Sequence, residues 1–269
     1  MQTEMILISY WDLAMLSVLV ILMGAVLWLQ GFSHVRQYYW ANIRTVVQLS
    51  FMGIWLSWVF NADSAIWVTL VGLIMLLAAG YEIAKRQQYR FQKYRSVLIG
   101  LLSLSMTALV LLVLVLTLVV KPEPWYQPQY AIPLLGMLLG NSMTAIGVGL
   151  DNLTRNARQL KSKIEAQLAL GYTAKESMKF IKQQSLHAAM IPVINMLVAA
   201  GIISLPGMMT GQILAGADPL EAVKYQIMIM LLIATSTAAG TLIAVELASR
   251  KLFDERQRLH LDVLVKAKK

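Results

Sequence analysis

The stretch "IEAQLALGYTAKESMKFIKQQ", Ile164–Gln184, is charged, basic and helical in pattern, yet it lies between two long apolar runs. Its spacing predicts two helices meeting at a tight turn. Leu153, Ala157, Leu160, Ile164 and Leu168 recur at steps of three and four, one stripe of a helix that continues out of the preceding run. Arg155, Arg158, Lys161 and Lys163 fall largely off that stripe. Gly171 is placed to end the helix, because glycine adopts the left-handed conformation of a C-terminal stop without strain. Thr173 and Glu176 form a capping box that starts the next helix. From these features alone the segment is either a packed loop or a docking element, and both readings stay open.

Outward from this turn the chain reads as membrane-embedded and all-α. It has 269 residues, 58% hydrophobic and only 14% charged, whereas a soluble domain is roughly 45–50% apolar and about 25% charged. A spanning helix needs about 20 mainly apolar residues. Seven segments qualify: Leu13–Leu29, Ile43–Phe60, Ala65–Tyr81, Val97–Val120, Ala131–Leu150, Ala188–Ala215 and Tyr225–Ala248. None alternates with the period of a β-barrel strand. The expected organisation is one transmembrane domain over residues 1–269, with a polar loop at 152–185 and a basic tail at 250–269. The N-terminal run "MQTEMILISYWDLAML" lacks the basic flank of a cleaved signal peptide.

The basic residues give the orientation. They collect between the first and second, third and fourth, and fifth and sixth spans, and after the seventh. Of the 23 Lys and Arg residues only Lys121 and Lys224 fall on the other side. The positive-inside rule then places the N-terminus outside and the C-terminus in the cytoplasm, as expected of a multi-pass protein of a bacterial inner membrane. The net charge of +9 is accounted for by these loops, and no nucleic-acid partner is expected.

The chemistry of an enzyme is hard to find. There is no cysteine, no His-x-x-x-His pair among three histidines, and no G-x-x-x-x-G-K-[ST] loop to cradle ATP phosphates. Polar and small residues inside the spans carry the remaining signal. Gln48, Asn141 and Asn195 are intramembrane amides, which face a bundle interior or a cavity. Gly136, Gly140, Thr144 and Gly147 make a small-residue face, and Gly207 and Gly211 a second; either packs helices within one subunit or lines a dimer interface. Pro206-Gly207 interrupts the sixth span as a hinge, gate or bend. Met143, Met208 and Met209 belong to a group of 16 methionines, and Met208 and Met209 are candidate soft metal ligands. Methionine is also an ordinary gap-filler. Among the acids, Glu246 is placed to pair with Arg250, and Asp12 to cap the first span.

Two levels of resemblance follow from these residues. Glu165-Ala166-Gln167, three residues, Gly171, nine residues and Ile181 resemble the Glu-Ala-Ala coupling loop of ABC-transporter permeases, with Gln167 in place of the second alanine and no Leu-Pro after Ile181. "RTVVQLSFMG" (Arg44–Gly53), "IPLLGMLLGNSMTAIGVGLDNL" (Ile132–Leu153) and "SLPGMMTGQILAGADPLEAVKYQIMIM" (Ser204–Met230) are similar to the FetB-type, or UPF0014, permeases over most of the chain. The resemblance implies a permease dimer driven by two copies of a separate ATP-binding subunit, which would hold ATP and Mg. It implies no solute-binding protein and no cofactor in this chain. Glu165, Ala166, Leu168, Gly171 and Thr173 would then form the ATPase-docking helix and turn. Gln48, Asn141, Met143, Thr144, Asn195, Pro206, Met208 and Met209 are the expected pathway residues. The bacterial members of the family are described as iron exporters. The plant relatives are tied to aluminium tolerance, with a nucleotide sugar proposed as substrate. A non-transporting membrane sensor coupled to an ATPase is the alternative from another class.

Overall fold

The computed structural model describes residues 8–62, 64–92 and 94–267. Lys93, Lys268 and Lys269, counted among the basic loop residues, lie outside them, as does most of the N-terminal run. Helix α1 (Tyr10–Leu29) begins at a capping box. Ser9 Oγ accepts from the backbone of Trp11, and the Ser9 N–H donates to Asp12 at 2.9 Å. Asp12 therefore has the capping role its position suggested. Helix α2 (Val35–Ala62) follows, its Tyr39 hydroxyl donating to the Ile21 carbonyl at 2.8 Å. Both helices are almost wholly exposed on the outer faces of this single chain.

Helix α3 (Ala65–Arg86) is joined to α2 by an Arg44–Glu82 ion pair at 3.1 Å and by packing around Val59, Val71 and Ile132. It returns through the short strand β1 (Tyr89–Phe91) into α4 (Arg95–Leu104). The α3/α4 hairpin is close because Gly80 sits under Leu101 and Gly100 under Ile83. Two π-helical stretches, Ser105–Leu109 and Val115–Val120, flank α5 (Val110–Leu114) and complete that span. Helix α6 (Pro128–Gln159) is the hub, packed on α3, α9 (Lys179–Ala199) and α11 (Pro219–Lys251). Its buried side carries Leu138, Ile146, Leu150 and Leu153, each 1% exposed or less. Burying such side chains contributes roughly 1.5–3 kcal/mol apiece between helices in water; inside a bilayer, packing and small residues replace that drive.

Among the described residues six helices are long and apolar enough to cross a membrane, where seven spans were expected. The expected span Ala188–Ala215 is divided. Helix α9 ends at Ala199, a backbone hairpin turns at Gly201 (φ +81°), and α10 (Gly207–Leu214) begins after Pro206. Within the hairpin the Gly201 N–H donates to Ser204 O at 2.9 Å, and the Ser204 N–H donates to Ala199 O at 3.1 Å. The physical reason is Pro206 itself: it cannot donate to a helical carbonyl, and it biases Leu205 away from helix. The Pro206-Gly207 interruption is thus a full break rather than a bend.

The basic tail is part of the fold. Residues 252–267 fold back onto the molecule. Strand β2 (Leu264–Lys266) pairs antiparallel with β1, placing Arg90 opposite Val265. Gln92 Nε2 donates to Asp262 O at 2.7 Å, and Leu264 and Phe91 are buried beneath the ribbon. The ladder hydrogen bonds and the buried Phe91–Leu264 pair hold the ribbon in place.

Candidate functional site

The charged helix–turn–helix is built as its spacing predicts. The helix of α6 runs on past Gln159, breaks step at Leu160 and continues as α7 (Lys161–Ala169). Leu153, Ala157 and Ile164 are buried along the stripe. Gly171 has φ +89°. The Gly171 N–H donates to Leu168 O at 3.0 Å and the Tyr172 N–H to Gln167 O at 3.1 Å, the paired bonds of a Schellman stop. One turn, α8 (Ala174–Ser177), then leads into α9. Glu176 N–H donates to Thr173 Oγ1 at 3.3 Å, and Thr173 N–H returns a bond to Glu176 Oε2 at 2.8 Å. The backbone N–H of Thr173, then its hydroxyl, hold the Glu176 carboxyl below the usual range.

Which side chains face outward differs from expectation at one position. Glu165, Ala166, Gly171 and Thr173 are exposed, and Glu165 lies 3.7 Å from Lys161. Leu168, expected in the docking helix, is half-buried against the core. The apolar groups that stand out are its neighbours, Leu170 at 77% exposure and Tyr172 at 53%. The cause is the stripe: Leu168 continues it, and Leu170 lies nearly opposite on the helix.

A second segment meets this turn, and sequence reasoning missed it. Gln257, at φ +57°, accepts a hydrogen bond from the Ala174 N–H at 3.0 Å. A tight turn sets its position. Asp254 Oδ1 accepts from the Arg256 and Arg258 N–H groups, and Arg258 Nε donates to Oδ2 at 2.8 Å. The Arg258 backbone N–H is the leading reason that the Asp254 carboxyl stays below its usual range. Beside it Glu246 accepts from both Lys182 (3.0 Å) and Arg250 (2.8 Å), tying α9 to α11. An open cavity of about 580 Å³ lies between Glu165, Tyr172, Arg256 and Arg258. A run of charges in a tail carries no sequence signal for such a fold-back.

The intramembrane candidates divide into two groups. Asn141, Met143, Thr144 and Met208 are half-buried around α6 and its neighbours; Asn141 Nδ2 donates to its own helix at Met137 O (2.8 Å). Thr144 accepts from Arg86 Nη1 at 3.2 Å and donates to Gly140 O. Gln48 and Asn195 are exposed on outer faces of this single chain, so the three amides do not meet within it. Pro206 and Met209 are half-buried at the break. The small-residue face packs on α3: a Cβ at Gly136 would lie 3.2 Å from Met75, and one at Gly147 would lie 3.4 Å from Arg86. Gly140, Gly207 and Gly211 face open space.

The seam between α6 and α11 holds a polar cluster that was not foreseen. Ser142 Oγ is 2.9 Å from Ser236 Oγ and 3.4 Å from Thr237 Oγ1, all fully buried. Elsewhere on α11, Thr241 Oγ1 and Gln226 Oε1 are buried with no hydrogen-bond partner among the described residues. Gly149 allows the close approach, since a Cβ there would lie 3.1 Å from Thr241 and 3.4 Å from Ala189. The small-residue run Ala234–Gly240 was the available signal. Among the described residues, no three His, Asp or Glu side chains gather as a metal-binding group.

An all-helical, multi-pass membrane protein with a polar seam and a water-facing turn at its basic end is the class these features define. Residues 10–253 match the family described as "Uncharacterised protein family (UPF0014)", and the chain belongs to that family. It is 36% identical over 237 residues to UPF0014 membrane protein slr1647 of Synechocystis sp., covering 87% of this chain and 90% of that protein. It is 32% identical over 228 residues to the Probable iron export permease protein FetB of Escherichia coli, covering 84% and 85%. Protein ALUMINUM SENSITIVE 3 of Arabidopsis thaliana is 33% identical over 224 residues, covering 82% and 78%. No solved structure matches the chain.

Proposed function

We propose that the chain is the membrane permease subunit of an ABC transporter that exports iron or another metal ion, with a separate subunit hydrolysing ATP. The observation that carries this reading is the turn at Gly171, in which α7, following α6 across the step at Leu160, presents Glu165, Ala166, Leu170 and Tyr172 to water. A docked ATPase would push on a helix that is rooted in the core, so its movement reaches the polar seam directly. ATP and Mg2+ would reside in the partner. The positive-inside pattern supports a cytoplasmic position for this turn, on the side where ATP is. Gln48 and Asn195 support a homodimer: an amide exposed in mid-membrane is costly unless a second copy or a cavity meets it.

Gly171→Val and Ala166→Trp test the turn. Both positions are open, and only the first carries backbone strain, about 1–2 kcal/mol. Both variants should stay folded and membrane-inserted while losing ATPase capture and flux together. Normal ATPase binding and flux in both would remove the proposal.

A second reading, an organic polar substrate such as a nucleotide sugar, is favoured by the chemistry of the seam. Its groups are hydroxyls and amides, which hydrogen-bond rather than ligate ferrous iron. Proteoliposome flux of ferrous iron against a nucleotide sugar separates the two. An ATPase rate that responds to ligand without any flux would indicate a sensor.

A further inference from the structure

One cavity lies apart from both the docking turn and the α6/α11 seam. It encloses about 570 Å³ at the basic end of the α3/α4 hairpin, bounded by the β1/β2 ribbon. Tyr81 and Lys85 line it from α3, one turn apart on the same face. Arg90 lines it from the centre of β1 beside its partner Val265, and Tyr94 from the start of α4. Lys85 and Arg90 are the charged groups of the wall; no carboxylate lines it, and neither cation has an acidic partner among the described residues.

The surface running from this cup toward the middle of the spans is apolar. On α3, Ile74 and Leu77 precede Tyr81 at helical spacing, and on α4 Leu98 and Leu102 follow Tyr94 at steps of four. All four aliphatic groups are exposed, as are both tyrosines, Tyr94 at 84%. Tyrosine rings at this level mark a membrane–water boundary. A cationic cup above an apolar strip fits a ligand that is anionic at one end and hydrocarbon at the other. We propose that this cup binds the phosphate-bearing headgroup of an anionic phospholipid, whose acyl chains lie along the α3/α4 faces. The planar guanidinium of Arg90 suits two phosphate oxygens, and Lys85 adds a point charge. A zwitterionic headgroup would bring its own cation against these two. The cup also has a mechanical link. The ribbon above it belongs to the same C-terminal segment as Gln257, which holds the docking turn, so an occupied cup braces that turn.

The test uses purified full-length protein and phosphatidylglycerol as the probe, with phosphatidylcholine as the neutral comparison. Native mass spectrometry should show tightly retained phosphatidylglycerol on the wild type. Lys85→Gln with Arg90→Gln should weaken retention roughly 30-fold, about fivefold per cation. The charge-matched pair Lys179→Gln with Lys251→Gln, exposed elsewhere at the basic end, should retain it. A second measurement leaves the cations intact. Because the chain has no native cysteine, Tyr94→Cys can carry a single fluorophore, which headgroup-labelled phosphatidylglycerol should quench at lower mole fraction than labelled phosphatidylcholine. Equal retention in the wild type and the Lys85/Arg90 variant overturns the proposal, as does equal loss in the charge-matched pair. Equal quenching by the two lipids overturns it too. Full displacement of phosphatidylglycerol by millimolar inorganic phosphate would show a free-anion site instead of a lipid site.

Discussion

Leu168 and Leu170 are two residues apart and have opposite surroundings, and this contrast predicts opposite effects of mutation. Leu168 packs against the core, so Leu168→Ala should destabilise the protein by about 2 kcal/mol, toward the low end for core truncations. Leu170→Ser with Tyr172→Ser should leave stability within about 0.5 kcal/mol, as exposed sites do, yet weaken ATPase capture. Thermal unfolding and pull-down on the same preparations check both halves. Gly149→Leu should cost about 1–3 kcal/mol by overpacking the α6/α9/α11 junction, read as a lower melting temperature. Glu176 adds a pH dependence. Its folded pKa is depressed, so its contribution to the cap is complete above the ordinary carboxylate value and fades as pH falls through the depressed one. Hydrogen exchange at the Glu176 amide, corrected for intrinsic rate, should lose protection in the wild type as pH falls below the ordinary carboxylate range. Glu176→Gln should show no such step; an identical acid response in that variant would refute the assignment. Gly171 and the Thr173–Glu176 box were legible in the sequence because their chemistry is local. The Ser142–Ser236 pair was not, because each hydroxyl finds its partner 94 positions away.

At the scale of elements, apolar length located six of the seven expected spans among the described residues and missed the division of the sixth, Ala188–Ala215. Hydropathy is blind to a backbone break, and Ala200–Leu205 is as apolar as a helix while making a hairpin whose Ile202 and Ile203 stand exposed. In a membrane such a break persists only where protein or water satisfies its backbone groups. The C-terminal fold-back escaped prediction for a related reason: three-residue strands fall below any periodic signal. Truncation after His260 removes β2 and uncovers Phe91, which is 1% exposed in the intact fold. The shortened chain should insert normally but melt several degrees lower, and it should couple ATP hydrolysis to flux poorly. Orientation is open to direct measurement. With Lys161→Cys or Leu220→Cys as the only thiol, an impermeant maleimide applied to intact cells should label Leu220→Cys alone. Labelling of Lys161→Cys instead would reverse the topology.

At the scale of the whole molecule, the outer faces of α1 and α2 bury little within one chain, and Gln48 sits at the middle of α2. Closed two-fold symmetry is the commonest way for identical chains to cover such a face. The purified complex should weigh as two permease chains with two ATP-binding subunits. A single permease chain per ATPase pair would exclude the arrangement, and Gln48→Leu should then have no effect on assembly.

The β1/β2 ribbon also constrains how the molecule is made. β1 leaves the ribosome before any helix from α4 to α11, yet its partner strand lies beyond all of them. The hairpin loop therefore waits unpaired through the insertion of three further candidate spans and the broken helix. Until that pairing closes, the segment that carries Gln257 is held only from its α11 end. On the proposed docking role of the Gly171 turn, an unfinished or misinserted chain would present that turn less firmly braced, and the ribbon would act as a checkpoint that keeps the motor off immature chains.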